Sequence, residues 1–171
     1  MSAYTTLLEE ALEAWDGIRD GVIAEVENFT ESELDFRPAP EMRSTTELVR
    51  HILESQLFAA GELTRSGGDF QRQEYTQLLA EYESGVNKLS GRSVLLAALR
   101  QTHESAREKF VAAGELHMLQ FIRRFDGQLG TRLAWLYHAS EHESYHRGQL
   151  ALYARLVGKV PALTRLIYGL P

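Results

Sequence analysis

The sequence predicts an all-α four-helix bundle, and three observations carry that prediction. The prolines are confined to positions 38, 40, 161 and 171, so residues 41–160 are proline-free. That stretch is rich in Ala, Leu, Glu and Arg, which propagate helices that proline would interrupt. Apolar residues recur at three- and four-residue steps along the chain, the mark of helices with one buried face. Start and stop signals also bracket the periodic windows. Four helices of three to seven turns with modest connections make a four-helix bundle the default architecture, and bundles build their sites between facing helices.

The first helix is expected over about residues 3–28, where Leu7, Leu8, Leu12, Trp15, Ile18, Val22, Ile23 and Val26 keep helical spacing and Gly17 and Gly21 weaken it locally. Pro38 and Pro40 make residues 28–43 a connection. Ser44-Thr45-Thr46-Glu47 reads as a capping box, so the second helix starts there and runs to about Arg65, before Ser66-Gly67-Gly68. Residues 70–88 fit a short helix around Tyr75–Tyr82 followed by a loop. The third helix covers about Gly91–Ala113, with Val94, Leu95, Leu99, Ala106 and Phe110 inward and Gly114 as C-cap. Residues 116–130 read as irregular. The fourth helix begins near Thr131 and continues to Gly158, with Pro161 beyond it.

A length of 171 residues suits one domain spanning 1–171. With 44% hydrophobic and 25% charged residues the composition is that of a globular protein, not a disordered one. The absence of cysteine excludes a disulfide framework, a thiolate nucleophile, a Cys-rich zinc site and an iron–sulfur cluster. It also suits a reducing compartment. The acidic N-terminal stretch has no basic-then-apolar leader pattern and no apolar run approaches a membrane span, so a cytoplasmic location is expected. The net charge of −6 is uneven: residues 1–35 carry ten acidic side chains against the single Arg19, and the remainder nets +3. An acidic first helix beside a more basic last helix accounts for this. No basic stripe interleaved with aromatics points to nucleic acid.

Six histidines stand at 51, 103, 117, 138, 142 and 146. His138, His142 and His146 are spaced by four, which keeps neighbours on one helix face with Cβ atoms ~5–6 Å apart. Two imidazoles at that spacing can reach one metal ion, as in the HExxH pair of metalloproteases, and HESYH at 142–146 matches that string. Trp135, Ala139, His142, His146, Gln149, Tyr153 and Leu156 form one stripe, which puts the pair on the buried side. His51 lies between Leu48 and Ser55 at the same spacings and can face inward too. Two close buried imidazoles repel when both are protonated and cost free energy when unsatisfied, and a metal ion removes both problems. Three imidazoles with one open position make a catalytic type of site. The residues alone leave a second reading open, in which the histidines are hydrogen-bonded core residues of a helical interaction domain. His103 and His117 have no partners at useful spacing and are expected at the surface. His138 can replace His146 as a ligand, support one, or simply pack.

The lead-in and second helix, FRPAPEMRSTTELVRHILES, and the last helix, HASEHESYHRGQLALYARLVGKVP, resemble the DinB/YfiT-like superfamily. The H-E-x-x-H-R-G-Q-L segment is the most specific part, whereas the first helix and residues 66–130 match in general character. The resemblance implies a four-helix bundle binding one divalent transition metal, zinc or nickel, through His51, His142 and His146. It implies a metal-dependent thiol S-transferase, isomerase or hydrolase acting on a small molecule, with a low-molecular-weight thiol as cosubstrate. A single Pro161 stands where relatives often have a proline pair, which bears on the mouth of the site.

Further roles follow from position. Glu143 lies about 100° around the helix from His142 and suits an arginine partner better than a base's role. Gln149 can orient a ligand or water. Arg147 is expected to bond acidic residues of the first helix, and Gly148 to permit close helix approach. Tyr145 and Tyr153 can donate to a substrate or pack, and Glu54 and Ser55 lie about one turn from His51. Specificity is expected to come from residues 66–90 and 114–130. The alternatives to an enzyme are a non-catalytic metal-binding or stress-response module and a plain interaction domain; a homodimer is expected, with no nucleic-acid or membrane partner.

Overall fold

The computed structural model describes residues 4–83 and 85–170, so the helix start expected near residue 3 and Pro171 lie outside it. In chain order the elements are α1 (Leu7–Asn28), a 3-10 turn (Ser32–Asp35), α2 (Thr45–Thr64), α3 (Tyr75–Tyr82), a second 3-10 turn (Val86–Lys88) and α4 (Arg92–Ala113). There follow α5 (Glu115–Met118), strands β1 (Phe121–Arg123) and β2 (Leu129–Thr131), α6 (Arg132–Leu156) and α7 (Ala162–Tyr168). The four long helices are the four expected, and the fold is a helical bundle.

Local chemistry sets their ends. Thr6 caps α1 by accepting from the Glu9 amide. Ser44 accepts from the Glu47 amide at 3.2 Å while the Glu47 carboxylate accepts from the Ser44 amide at 2.8 Å, the full reciprocal box. Arg37 holds the same carboxylate at 2.8 Å, fixing the proline-containing connection against the start of α2. Replacing Ser44 by alanine is expected to cost about 1 kcal/mol, read as a lower urea midpoint with an unchanged slope.

Three expectations need correction. Residues 116–130 are not irregular: α5 and an antiparallel β1–β2 hairpin occupy them, with Phe121 opposite Thr131 and Ile122 opposite Gly130. Three-residue strands are too short to show alternation in sequence. The turn uses Gly127 at φ 81° and the Asp126 carboxylate accepting from the Gln128 amide. Val94 and Leu156 are exposed, not inward. Val94 sits one residue ahead of the buried Leu95, and Val157 rather than Leu156 continues the inward face of α6 beyond Tyr153 and Ala154.

Side-chain bonds fix the helix directions. Arg132 of α6 bonds the Leu63 carbonyl of α2 at 2.9 Å, and Tyr153 bonds the Arg43 carbonyl at 3.0 Å, so α2 and α6 run antiparallel. Trp15 meets Glu143 and Asn28 meets Val160, so α1 and α6 run parallel. The neighbours around the bundle are α1, α6, α2 and α4, each long helix packing on the two beside it. The consecutive α1 and α2 are therefore diagonal to each other. Residues 65–91 must return along the bundle to let α4 run parallel to α2, and they carry α3 on the way.

The interior is two apolar clusters with a polar belt between them. One holds Leu12, Trp15, Phe58, Leu63, Phe110 and Leu136. The other holds Val22, Val26, Leu48, Leu53, Leu99 and Leu150. Along every long helix the change from one to the other passes a polar residue: Arg19 in α1, Gln56 in α2, Thr102 and His103 in α4, and Glu143 and His146 in α6. That belt is where the chemistry lies.

Candidate metal centre

His51 on α2 and His142 and His146 on α6 converge across the α2–α6 contact. One ligand nitrogen from each lies within 4.8 Å of the others. The Nε2 atoms of His142 and His146 are 3.0 Å apart. The rings stand nearly perpendicular, with His51 centred 5.1 Å from His142 and 4.7 Å from His146. Nitrogens that share one ion at about 2.0–2.1 Å stand at most about 4.2 Å apart, so closing this group on an ion needs only a small side-chain rotation. The antiparallel packing produces the convergence: His51 is seven residues into α2, opposite the middle of α6, and the i, i+4 step brings both α6 rings to that level.

The hydrogen bonds choose a tautomer. His146 Nδ1 donates to Gln149 Oε1 at 2.7 Å, which leaves a lone pair on its Nε2. That nitrogen faces His142, and among the described residues the His51 ring has no hydrogen-bond partner. Bonding of a ligand histidine through its other nitrogen is the usual way a metal ligand is oriented. Burial pushes His51 down to about 4 from the ordinary 6.5, with the positive charge of Arg43 and then the other two histidines acting in the same sense. Burial likewise takes His142 to about 4, with His146 and His138 contributing. His146 is lowered by burial, its bond to Gln149 restoring part of the loss. All three are neutral at pH 7, the form that donates a lone pair to a metal.

Glu143, the acid of the HESYH string, points away from this group into the belt. Arg19 grips it with two bonds, Nε to Oε1 at 2.6 Å and Nη2 to Oε2 at 2.9 Å, and Trp15 Nε1 donates to Oε2 at 2.9 Å. The guanidinium also bonds the Leu99 carbonyl at 3.2 Å and the Gln56 side-chain oxygen. Both charges are buried, Arg19 at 1% exposure and Glu143 at 4%. A carboxylate committed to three donors in this way is a structural partner, not a free base. The charge relation between the helices is thus the reverse of the expected one at this point: the acidic first helix supplies the cation.

The remaining residues fall out as follows. His138 is exposed, its ring edge on Trp135 at 4.7 Å, and it stands outside the three-histidine group. Tyr145 is 65% exposed with its ring edge on His146. Tyr153 is buried and spends its hydroxyl on the Arg43 carbonyl. Burial pushes the half-buried Glu54 up, assisted by Glu83. Ser55 lines the space beside His142. Arg147 forms no ion pair among the described residues but lies across α1 at Gly21, where a Cβ would stand 2.8 Å from its Cδ. Gly148 is exposed and meets no other helix; the small residue that permits the α1–α6 approach is Gly21. His103 and His117 are not surface residues. His103 bonds Asp16 at 2.8 Å and packs on Trp15, and His117 bonds the Leu63 carbonyl at 3.0 Å.

The expected arginine partner of Glu143 is Arg19; sequence reasoning did not identify it, nor the Trp15 and Gln56 bonds that complete the network. A signal was present: Arg19, alone among the ten acids of residues 1–35, sits on the apolar stripe at four residues from Trp15 and three from Val22. An isolated arginine on a buried face needs a buried acid.

This geometry defines a class, a helical bundle whose interior carries a three-histidine group able to hold a metal ion. The chain belongs to the DinB superfamily, whose model matches residues 8–150, a span that contains all three histidines. Among solved structures it is similar to a DinB-like protein from Bacillus subtilis, at 22% identity and a TM-score of 0.67, covering 88% of this chain and 93% of that one. It is also similar to YfiT from Bacillus subtilis, described as a probable metal-dependent hydrolase with an unusual four-helix bundle topology. That match has 16% identity and a TM-score of 0.69, covering 92% of this chain and 91% of YfiT. A search of curated proteins finds no match.

Proposed function

We propose that the protein is a metal-dependent enzyme of the thiol S-transferase or hydrolase kind, with His51, His142 and His146 holding one zinc or nickel ion. The observation that carries this reading is the convergence of three neutral imidazoles from two helices, one of them oriented by Gln149. A bound divalent ion supplies Lewis acidity, which makes a water or a thiol nucleophilic near neutral pH. The chain's own residues set the conditions for that. Three neutral ligands leave the ion's charge undiminished, and Glu143, the carboxylate next to His142 in the chain, is neutralised by Arg19. The Gln149 bond fixes the lone pair of His146 toward the group. Without cysteine the nucleophile comes from outside the chain, as water or a low-molecular-weight thiol. A peptidase reading of HESYH would need Glu143 as base, and its three bonds prevent that.

The test is elemental analysis of protein purified without a histidine tag, beside a His142→Ala/His146→Ala variant. About one equivalent of transition metal is expected in the wild type and none in the variant, with helical circular dichroism retained in both. Cobalt-substituted protein should then change its visible spectrum on addition of a thiol. Absence of metal in the wild type after reconstitution would sink the reading.

A further inference from the structure

Beside the histidines lies a cavity of about 110 Å³ that shares His142 with them and has Ser55 in its lining. Its walls are largely aromatic: Phe58 from α2, Phe70 from the segment between α2 and α3, Tyr75 from the start of α3, Phe125 from the hairpin turn, and Trp135 from α6. The walls support each other. Phe70 and Phe125 stack at 4.8 Å with an interplanar angle of 8°, and Trp135 stands edge-on to both. Tyr75 closes the ring edge-on to Phe125 at 5.5 Å.

The walls are also held from behind. Glu62, fully buried, accepts from the Asp69 amide at 2.8 Å, from Arg72 at 2.9 Å and from Tyr82 at 2.8 Å. The Phe70 amide bonds the Arg123 carbonyl at 3.1 Å, and the Gln71 side chain bonds the Phe125 carbonyl at 2.9 Å. Two segments distant in sequence are thereby tied together so that their aromatic side chains face one space. Burying Glu62 with three donors serves no purpose in the histidine group, and its effect is to preorganise this wall.

We propose that this aromatic cavity receives an uncharged apolar group of the molecule on which the site acts, a short alkyl chain or one small ring. Volume and charge support the choice. A cavity of ~150 Å³ lined by apolar side chains holds benzene, so 110 Å³ open at one side takes one ring or a few methylenes and no more. No Asp, Glu, Lys or Arg lines it, and its polar lining residues, Ser55, Tyr75, His138 and His142, include no permanent charge, so a charged group entering it would lose hydration without a fixed counter-charge. Aromatic faces do attract cations, but the guanidinium of Arg124 already lies 5.8 Å from the Trp135 ring centre and occupies that role. The neutral apolar group is what remains. The direction in which it presents the rest of the molecule, past His142, rests on the metal reading; the cavity does not.

The test uses two kinds of probe. Imidazole and 4-phenylimidazole are titrated calorimetrically into zinc-loaded protein, and toluene into EDTA-treated protein while the Trp135 indole N–H resonance is followed. In the wild type, 4-phenylimidazole is expected to bind at least about tenfold more tightly than imidazole through ring burial. Toluene is expected to shift the Trp135 signal. Ala139→Leu, which places a larger side chain in the cavity, should bring the ratio toward one and abolish the toluene shift while leaving zinc content and imidazole affinity unchanged. Phe125→Ala, at an exposed turn, should lower the ratio without affecting zinc. Equal affinity of the two imidazoles, no toluene shift, or tighter binding of phenyltrimethylammonium than of toluene would each overturn the proposal. If the protein takes up no zinc, the metal reading fails on that result alone, and toluene then decides the cavity by itself.

Discussion

Replacing Arg19 by alanine is expected to lower stability by about 3–5 kcal/mol, the usual result of leaving one member of a buried ion pair without its partner. Domains of this size have total stabilities of about 5–15 kcal/mol, so the loss should lower the urea midpoint by about a fifth or more. The argument is one of uncompensated burial. Glu143 would keep only the Trp15 indole at 2.9 Å, the Leu99 carbonyl would lose the guanidinium, and the Gln56 oxygen would keep only the Thr102 hydroxyl at 3.3 Å. Glu143→Gln also leaves a buried charge, the Arg19 guanidinium, without its counterion, and should cost less only to the extent that the amide oxygen still accepts from Arg19 and Trp15. The informative comparison is the double variant Arg19→Met/Glu143→Leu. Replacing both charges by apolar side chains of similar length removes the desolvation cost along with the attraction, and it should recover most of the loss. A single Arg19→Ala change that costs less than about 1 kcal/mol would show that water reaches the belt and that the pair behaves as a surface pair.

The pair also explains why the belt persists between two apolar clusters. Glu143 adjoins His142 in sequence, and gripping its carboxylate from α1 fixes the rotation of α6 about its own axis. A rotation of one residue, about 100°, would carry His142 and His146 off the α2 face. The double variant should therefore keep the fold yet bind metal more weakly, which separates stability from orientation in one experiment.

The legible parts of the molecule were those governed by short-range rules. The capping box at Ser44, the i, i+4 histidines and the inward stripe of α2 depend on neighbours within two turns, and sequence displays them directly. The diagonal placement of α1 and α2 was not visible, because connection length alone does not say which face a returning segment follows. The aromatic wall was hidden for a similar reason. Phe70 and Phe125 are 55 residues apart in short irregular or hairpin segments with no period to read, and only the Glu62 clamp and the bond of Gln71 to Phe125 bring them together. His103 was misplaced because its partners, Asp16 and Trp15, lie on a different helix. What is local was readable; what is fixed by one buried charge meeting another across the bundle was not.

The metal-free protein is expected to lose stability as pH falls from about 6.5 to about 4, while remaining insensitive to pH between 7 and 8. The sign follows from linkage. His51 and His142 stand at about 4 in the fold against 6.5 when free, so between those values the unfolded chain binds more protons and gains on the folded one. His146 and His103 are lowered as well and act in the same direction. Carboxylates contribute lower on the scale. Lys159 holds Glu33, and Arg37 holds Glu47, below the ordinary 4.5, so their stabilisation is complete above that value and is lost as pH drops further. Thermal unfolding from pH 8 to 4 in EDTA should therefore show a first decline with the histidines before the carboxylate decline begins. His51→Ala should shallow the first decline and leave the second. Zinc at a free concentration a thousand times its Kd should add about 4 kcal/mol at pH 7, and much of that gain should survive to about pH 5, because His51 and His142, at about 4 in the fold, compete little with the ion there. A metal-free protein whose melting temperature stays level from pH 7 to 5 would show that the three rings are hydrated and chargeable, and so are not arranged in advance to receive an ion.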